Sequence, residues 1–195
     1  MKNMPQNVRA QTLALVNASK PAADSSQVEA LIGAWLASLD DEDLAGTSPD
    51  SLAPVLWDGF FQAARRTSHG CQIAQLRYAD GRGGMASALL VLNDDMPYLV
   101  DSIVMALRKQ KVQATGVMNA VLAVRRDANG QAVAVGEAGA PLESYVLCLL
   151  AEDLAADELS ALVERLLSAC PRVTVLATLY FGWHYVADDV AGIVI

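Results

Sequence analysis

The spacing of apolar residues changes once along this chain, at Ser68-His69-Gly70, and that change limits the fold more than any other feature. Upstream the period is helical. Val28, Leu31, Ile32, Trp35 and Leu39 recur at i, i+3, i+4, i+7 and i+11, which stacks them on one helix face. Leu52, Val55, Leu56, Phe60 and Phe61 form a second run after Ser48-Pro49-Asp50. There Ser suits an N-cap, and Pro suits the first helical position, whose N–H has no intrahelical partner in any case. Two or three amphipathic helices are expected up to about residue 67.

Downstream the runs are short and β-rich. Residues 72–78 and 86–92 read as strands across a turn holding Gly81, Gly83 and Gly84. Residues 97–109 read as a helix with Leu99, Ile103 and Leu107 on one stripe, and 112–126 as a strand. Asp127-Ala128-Asn129-Gly130 supplies an Asn-Gly hairpin turn into 131–135. After a loop at 136–142 come a buried strand at 145–150 and a helix at 153–168 carrying Leu159, Leu162, Val163 and Leu166. Residues 173–179 are expected to close the sheet. From residue 86 the order is β, α, β, β, β, α, β. The predicted fold class is therefore α+β: a helical N-terminal segment at 1–69, then at 70–195 a ferredoxin-like βαββαβ antiparallel sheet with one added strand and helices on one face.

Composition excludes several functions. With 53% apolar and 18% charged residues the chain can bury a core. Its net charge of −8 is the wrong sign for neutralising phosphates, so no nucleic-acid partner is expected. Cys71, Cys148 and Cys170 lack paired spacing, and His69 and His184 lie far apart, so neither a disulfide framework nor a metal site is signalled. No stretch approaches about 18 uninterrupted apolar residues. No membrane partner is expected, and a cytoplasmic location is.

Val91 to Ile103 is the most specific segment. A strand runs into Asn93, Asp94 and Asp95, turns at Met96-Pro97-Tyr98, and enters a helix through Pro97. Free N–H groups at such a helix start favour an anion or a ligand carboxylate. The plainer reading is that Asp94 and Asp95 cap the helix.

The block from Asn93 to Ser102, followed by Val121 to Gly130 and Glu143-Ser144-Tyr145, resembles the N-terminal ACT-like region of the large NAD-specific bacterial glutamate dehydrogenases. The resemblance spans about residues 30–170. After Val173, the aromatic run Leu179 to Tyr185 departs from that pattern. The resemblance implies an ACT-like module preceding a distant catalytic domain, with no cofactor in this chain and NAD bound by that later domain of the parent enzyme. The partners it implies are other domains or subunits of the parent, a small-molecule effector such as an amino acid, and further copies in a homo-oligomer. ACT modules that bind amino acids resemble Asp-x-Pro-Gly-Leu at this turn, where Gly lets a ligand approach the backbone. Tyr98 stands in that Gly position. Asn93, Asp94, Asp95, Pro97 and Tyr98 are thus the candidate ligand or interface turn.

Other groups carry less. His69 with Cys71 lacks an orienting group and an oxyanion site, and His184 among aromatics has no second metal ligand at helical spacing. Asp94, Asp95 and Asp101 are few oxygens for a hard cation. The Gly81-Arg82-Gly83-Gly84 cluster is too short for a dinucleotide fingerprint, and Arg125-Arg126 beside the hairpin is expected on a sheet edge. No catalytic residue is assigned. Two functions stay open: a non-catalytic regulatory and assembly domain of a glutamate dehydrogenase, and a free-standing amino-acid sensor of the ACT type.

Overall fold

The structure, a computed structural model, describes residues 5–18, 26–66 and 70–168. Three helices come first: α1 (Pro5–Ala18), α2 (Ser26–Ser38) and α3 (Pro49–Ala63). The apolar stripe of α2 faces inward as its spacing predicts, with Val28, Leu31, Ile32 and Trp35 all buried. At α3 the extended Ser48 is the N-cap residue and Pro49 opens the helix, but the Ser48 side chain makes no capping bond. Its carbonyl accepts the N–H groups of Ser51 and Leu52 instead. Phe60 is buried whereas Phe61 is 65% exposed, because successive helical residues point about 100° apart and the step from Phe60 to Phe61 leaves the buried stripe.

Five strands follow, β1 (Gln72–Ala79), β2 (Met85–Asp94), β3 (Ala114–Arg126), β4 (Ala132–Val135) and β5 (Leu142–Leu150), with α4 (Leu99–Lys109) between β2 and β3. A last helix, α5, covers 156–168. The sheet order is β1-β2-β5-β3-β4 and each pairing is antiparallel. Strands β2 and β3 flank β5, which is the split arrangement of a βαββαβ unit, and β4 is the added strand. The place on the far side of β2 is filled by β1. The strand expected at 173–179 lies outside the described residues, as do His69 and His184.

Alternation along β5 divides the core. Val146, Cys148 and Leu150 pack with Leu99, Ile103 and Leu107 of α4 and with Leu159, Leu162 and Leu166 of α5. Tyr145, Leu147 and Leu149 turn to the opposite face and pack with Leu31, Trp35, Leu56 and Phe60. There the Phe60 ring stacks on Tyr145 at 5.4 Å and meets Trp35 edge-on at 5.7 Å, and Trp35 Nε1 donates to the Tyr145 carbonyl at 3.0 Å. Helices thus lie on both faces: α4 and α5 on one, the leading helices on the other. This is why β2 and β5 are apolar almost without interruption, as strands buried on both faces are.

Helix α4 begins two residues later than its sequence suggests. Tyr98 is its N-cap residue, at φ 63° and ψ 15°, and Pro97 sits before it rather than in the first turn. The other end is a Schellman motif: Lys111, at φ 61°, donates to the Arg108 carbonyl at 2.9 Å, and Val112 to that of Leu107 at 3.0 Å. In the β3–β4 hairpin Gly130 takes φ 79° while Asn129 keeps a negative φ, and the register shifts between Arg125 and Arg126. The Asn-Gly turn is therefore the bulged kind rather than type I′.

Candidate functional site at the end of strand β2

Register places Asp94, at the end of β2, opposite Glu143 near the start of β5. Like charges facing across strands destabilise a sheet, so both need a cation. Arg66 supplies it: its Nη1 donates to Asp94 Oδ1 at 2.6 Å and to Glu143 Oε1 at 3.1 Å, while Nη2 donates to the Gly70 carbonyl at 2.8 Å. A second cation, Arg126, grips Glu143 with two bonds, Nε to Oε1 at 2.8 Å and Nη2 to Oε2 at 2.9 Å. The Tyr145 hydroxyl donates to Oε2 at 2.8 Å. Arg126 also donates to the carbonyls of Ala63, Ala64 and Gly130 at 3.1, 3.0 and 2.9 Å. It thus satisfies the acceptors at the end of α3, where a cation complements the helix dipole.

Burial makes these contacts consequential. The side chains of Arg66 and Glu143 are each 4% exposed, whereas Asp94 is 56% exposed. Burial pushes the Glu143 carboxyl up, but the bonds from Arg126, Tyr145 and Arg66 outweigh it and hold the group below its ordinary range. Burial likewise works against the charge on Arg126, and Glu143 more than restores it. Tyr145 is raised, first by burial and then by the adjacent Glu143 charge, so its phenol stays protonated and donates.

The five turn residues from the sequence do not converge on one pocket. Asp94 faces the α1–α3 side and Arg66. Asp95 faces the α4 side, where Oδ1 accepts the Ser144 hydroxyl at 2.8 Å and its N–H donates to the Leu142 carbonyl at 2.9 Å. Neither aspartate caps α4, contrary to the plainer sequence reading. The Asn93 amide donates to the Asp94 carbonyl at 3.0 Å and to Met96 Sδ at 2.9 Å. Tyr98 holds the left-handed conformation that favours glycine. Its carbonyl accepts both the N–H and the hydroxyl of Ser102, at 3.0 and 2.5 Å, and its ring is 44% exposed. Asp94, Asp95 and Asp101 do not gather as cation ligands: among the described residues no group of three His, Cys, Asp or Glu is placed to hold a metal.

The buried cluster of Arg66, Arg126, Glu143 and Tyr145 escaped the sequence reading. Arg126 is not an edge charge but a partly buried ion-pair residue, since β4 and the loop after α3 cover it; its neighbour Arg125 pairs at the surface with Glu137. One signal was available. Glu143 is a lone carboxylate opening an otherwise apolar buried strand, and a buried charge requires a partner. Cys148, in the same strand, is a packing residue whose thiol burial pushes up to about 12. In the β1–β2 turn, Asp80 accepts the N–H groups of Arg82 and Gly84 at 2.8 and 2.9 Å, which lower its carboxyl. The glycine cluster is thus a turn.

A family model described as glutamate dehydrogenase, ACT1 domain, matches residues 31–166, more than half of the chain. A second, the PAP2 superfamily, matches residues 145–195. Where the two overlap, at 145–166, the chain forms most of β5 and most of α5, both packed into the sheet core. No curated protein and no solved structure gave a match. No helix among the described residues is long and apolar enough to cross a membrane.

Proposed function

The chain belongs to the glutamate dehydrogenase ACT1 domain family, and from that premise we propose that it is a non-catalytic regulatory and assembly domain of a large NAD-specific enzyme. That enzyme would oxidatively deaminate L-glutamate to 2-oxoglutarate, with NAD and substrate both held by a later domain. The observation that carries this reading is the state of the β2–α4 turn. Tyr98 fills the position where an amino-acid-binding ACT module needs Gly, and its ring lies at the surface. Asp94 and Asp95 are engaged by Arg66 and Ser144. A rigid turn presenting an aromatic ring suits contact with a neighbouring domain or subunit, where aromatics supply apolar area and a hydroxyl together.

Two measurements test this. The chain alone should form no NADH from glutamate plus NAD. Tyr98→Gly should weaken binding of the chain to the remainder of its parent enzyme while leaving its fold intact. Calorimetry with a panel of amino acids separates this reading from the sensor: no saturable binding is expected, and saturable binding to the unmodified chain that Asp95→Ala abolishes would overturn the assembly reading.

A further inference from the structure

We propose that the β2–α4 turn docks against a basic surface of another domain of the parent enzyme, one in which Lys or Arg side chains frame an apolar socket, and not against a second copy of this chain. The inference rests on the assembly role given to the turn above and adds the chemistry of the partner.

Two elements supply the apolar part of the surface. Tyr98 is 44% exposed and Leu142 is 52% exposed, and Pro97 is exposed beside Tyr98. The Asp95 N–H donates to the Leu142 carbonyl at 2.9 Å, which holds the start of β5 against the turn. Alternation along β5 sends the Leu142 side chain to the same face as Val146 and Leu150, the face on which α4 lies.

Exposed carboxylates surround these residues. Asp95 and Asp101 both reach solvent, and among the described residues neither forms an ion pair: Asp95 accepts the neutral Ser144 hydroxyl. The cations near this end of the sheet are engaged elsewhere. Arg66 and Arg126 hold Asp94 and Glu143, and Arg125 holds Glu137. Arg65 follows α3, whose helix packs on the opposite face, and Arg108 and Lys109 close α4 about 15 Å from Tyr98 at 1.5 Å per residue. Asp101 lies in the first turn of α4, where a carboxylate suits the helix dipole. Asp95 lies outside the helix and caps nothing, so the dipole gives no reason for its charge.

The occupant follows from this charge. A two-fold contact sets the same patch of each copy together, and here that would press unpaired carboxylates against their own kind. A basic surface meets them with the opposite potential, which steers encounter and fixes orientation, while its socket receives the Tyr98 ring and Leu142. The net charge of −8 acts in the same direction at longer range.

Hydrogen exchange on the intact parent enzyme, compared with this chain alone, tests the assignment. The N–H groups of Leu99, Val100 and Asp101 precede Ser102, whose bond to the Tyr98 carbonyl is the first of α4, so they have no acceptor within the helix. They are expected to exchange about tenfold or more slowly in the intact enzyme than in the chain alone. Asp101→Lys, at an exposed side chain, should restore fast exchange in the intact enzyme, Asp101→Asn should do so in part, and about 0.5 M NaCl should speed exchange there about threefold or more. Equal exchange in the two forms overturns this inference together with the assembly reading. Slow exchange that survives both Asp101→Lys and salt overturns this inference alone, because the contact is then apolar. Slowing in the isolated chain that grows with its concentration makes a second copy the occupant and overturns it too.

Discussion

Gly130→Ala is expected to unfasten the leading helices from the sheet. Gly130 has φ 79°, and a Cβ built on it would lie 1.7 Å from the Arg66 carbonyl oxygen, far inside van der Waals contact. The backbone from Ala64 to Arg66 would have to retreat. That segment is held by Arg66 N–H to the Gly130 carbonyl at 2.9 Å, by Ala132 N–H to the Ala64 carbonyl at 2.8 Å, and by Arg126 bridging both carbonyls. A left-handed L residue costs about 1–2 kcal/mol, and each backbone bond lost costs about 0.5–1.5 kcal/mol, giving about 3–5 kcal/mol once strain in the Arg126 contacts is included. Gly136→Ala is the control: its φ is 78°, but nothing lies within 4 Å of the added Cβ, so only the backbone term applies. In urea unfolding with a slope of about 2 kcal/mol per molar, the two midpoints should differ by about 1 M. Indistinguishable midpoints would refute the claim that this contact joins helices to sheet.

Two more outcomes follow from single residues. Because the folded Glu143 carboxyl is held below its ordinary value of 4.5, its stabilisation is full above that value and is lost as pH falls through the depressed one. Glu143→Gln, which leaves Arg126 without a carboxylate and Arg66 with Asp94 alone, should cost about 3–5 kcal/mol at neutral pH and flatten the acid limb of a stability–pH curve; an unaltered limb would show that the carboxylate is not what titrates. Lys111→Gly should stabilise the chain by about 0.5–1 kcal/mol, since Gly relieves the left-handed strain at the end of α4 but adds freedom to the unfolded chain. A lower melting temperature would mean that the Lys111 side chain contributes more than its backbone costs.

Periodicity made most of the fold legible before any coordinates. The stripe of Val28, Leu31, Ile32 and Trp35 and that of Leu99, Ile103 and Leu107 both point where helical spacing sends them. The apolar run Tyr145 to Leu150 announced a strand buried on both faces. Neither signal says which helices lie on which face, because that depends on pairings distant in sequence. The same limit hid the ion cluster: Arg66 and Glu143 are 77 residues apart, and nothing local to Arg66 distinguishes it from the exposed arginines. Tyr98 and Lys111 adopt backbone angles usually reserved for glycine, so a search for glycine misses both. The motif marks the turn but does not place Pro97 within it, since a proline before a helix fits the N-cap approach as readily as the first turn.

The β2–α4 turn is fastened on both sides of the sheet, and this bears on its role. On one side Asp94 is tied to Arg66, which also holds Glu143; on the other, Asp95 holds the Ser144 hydroxyl and the Leu142 carbonyl. Closing over a small ligand would require one of these attachments to break, with Arg66 then left buried near a single carboxylate. Adding a contact at the outer surface breaks neither. Asp94 is the exposed member of the cluster and lies four residues from the exposed Tyr98 ring, so a neighbouring domain docking there would meet a charge and an aromatic already held in place. Little ordering entropy would remain to oppose that contact, and this favours a fixed interface over a sensor pocket at the turn.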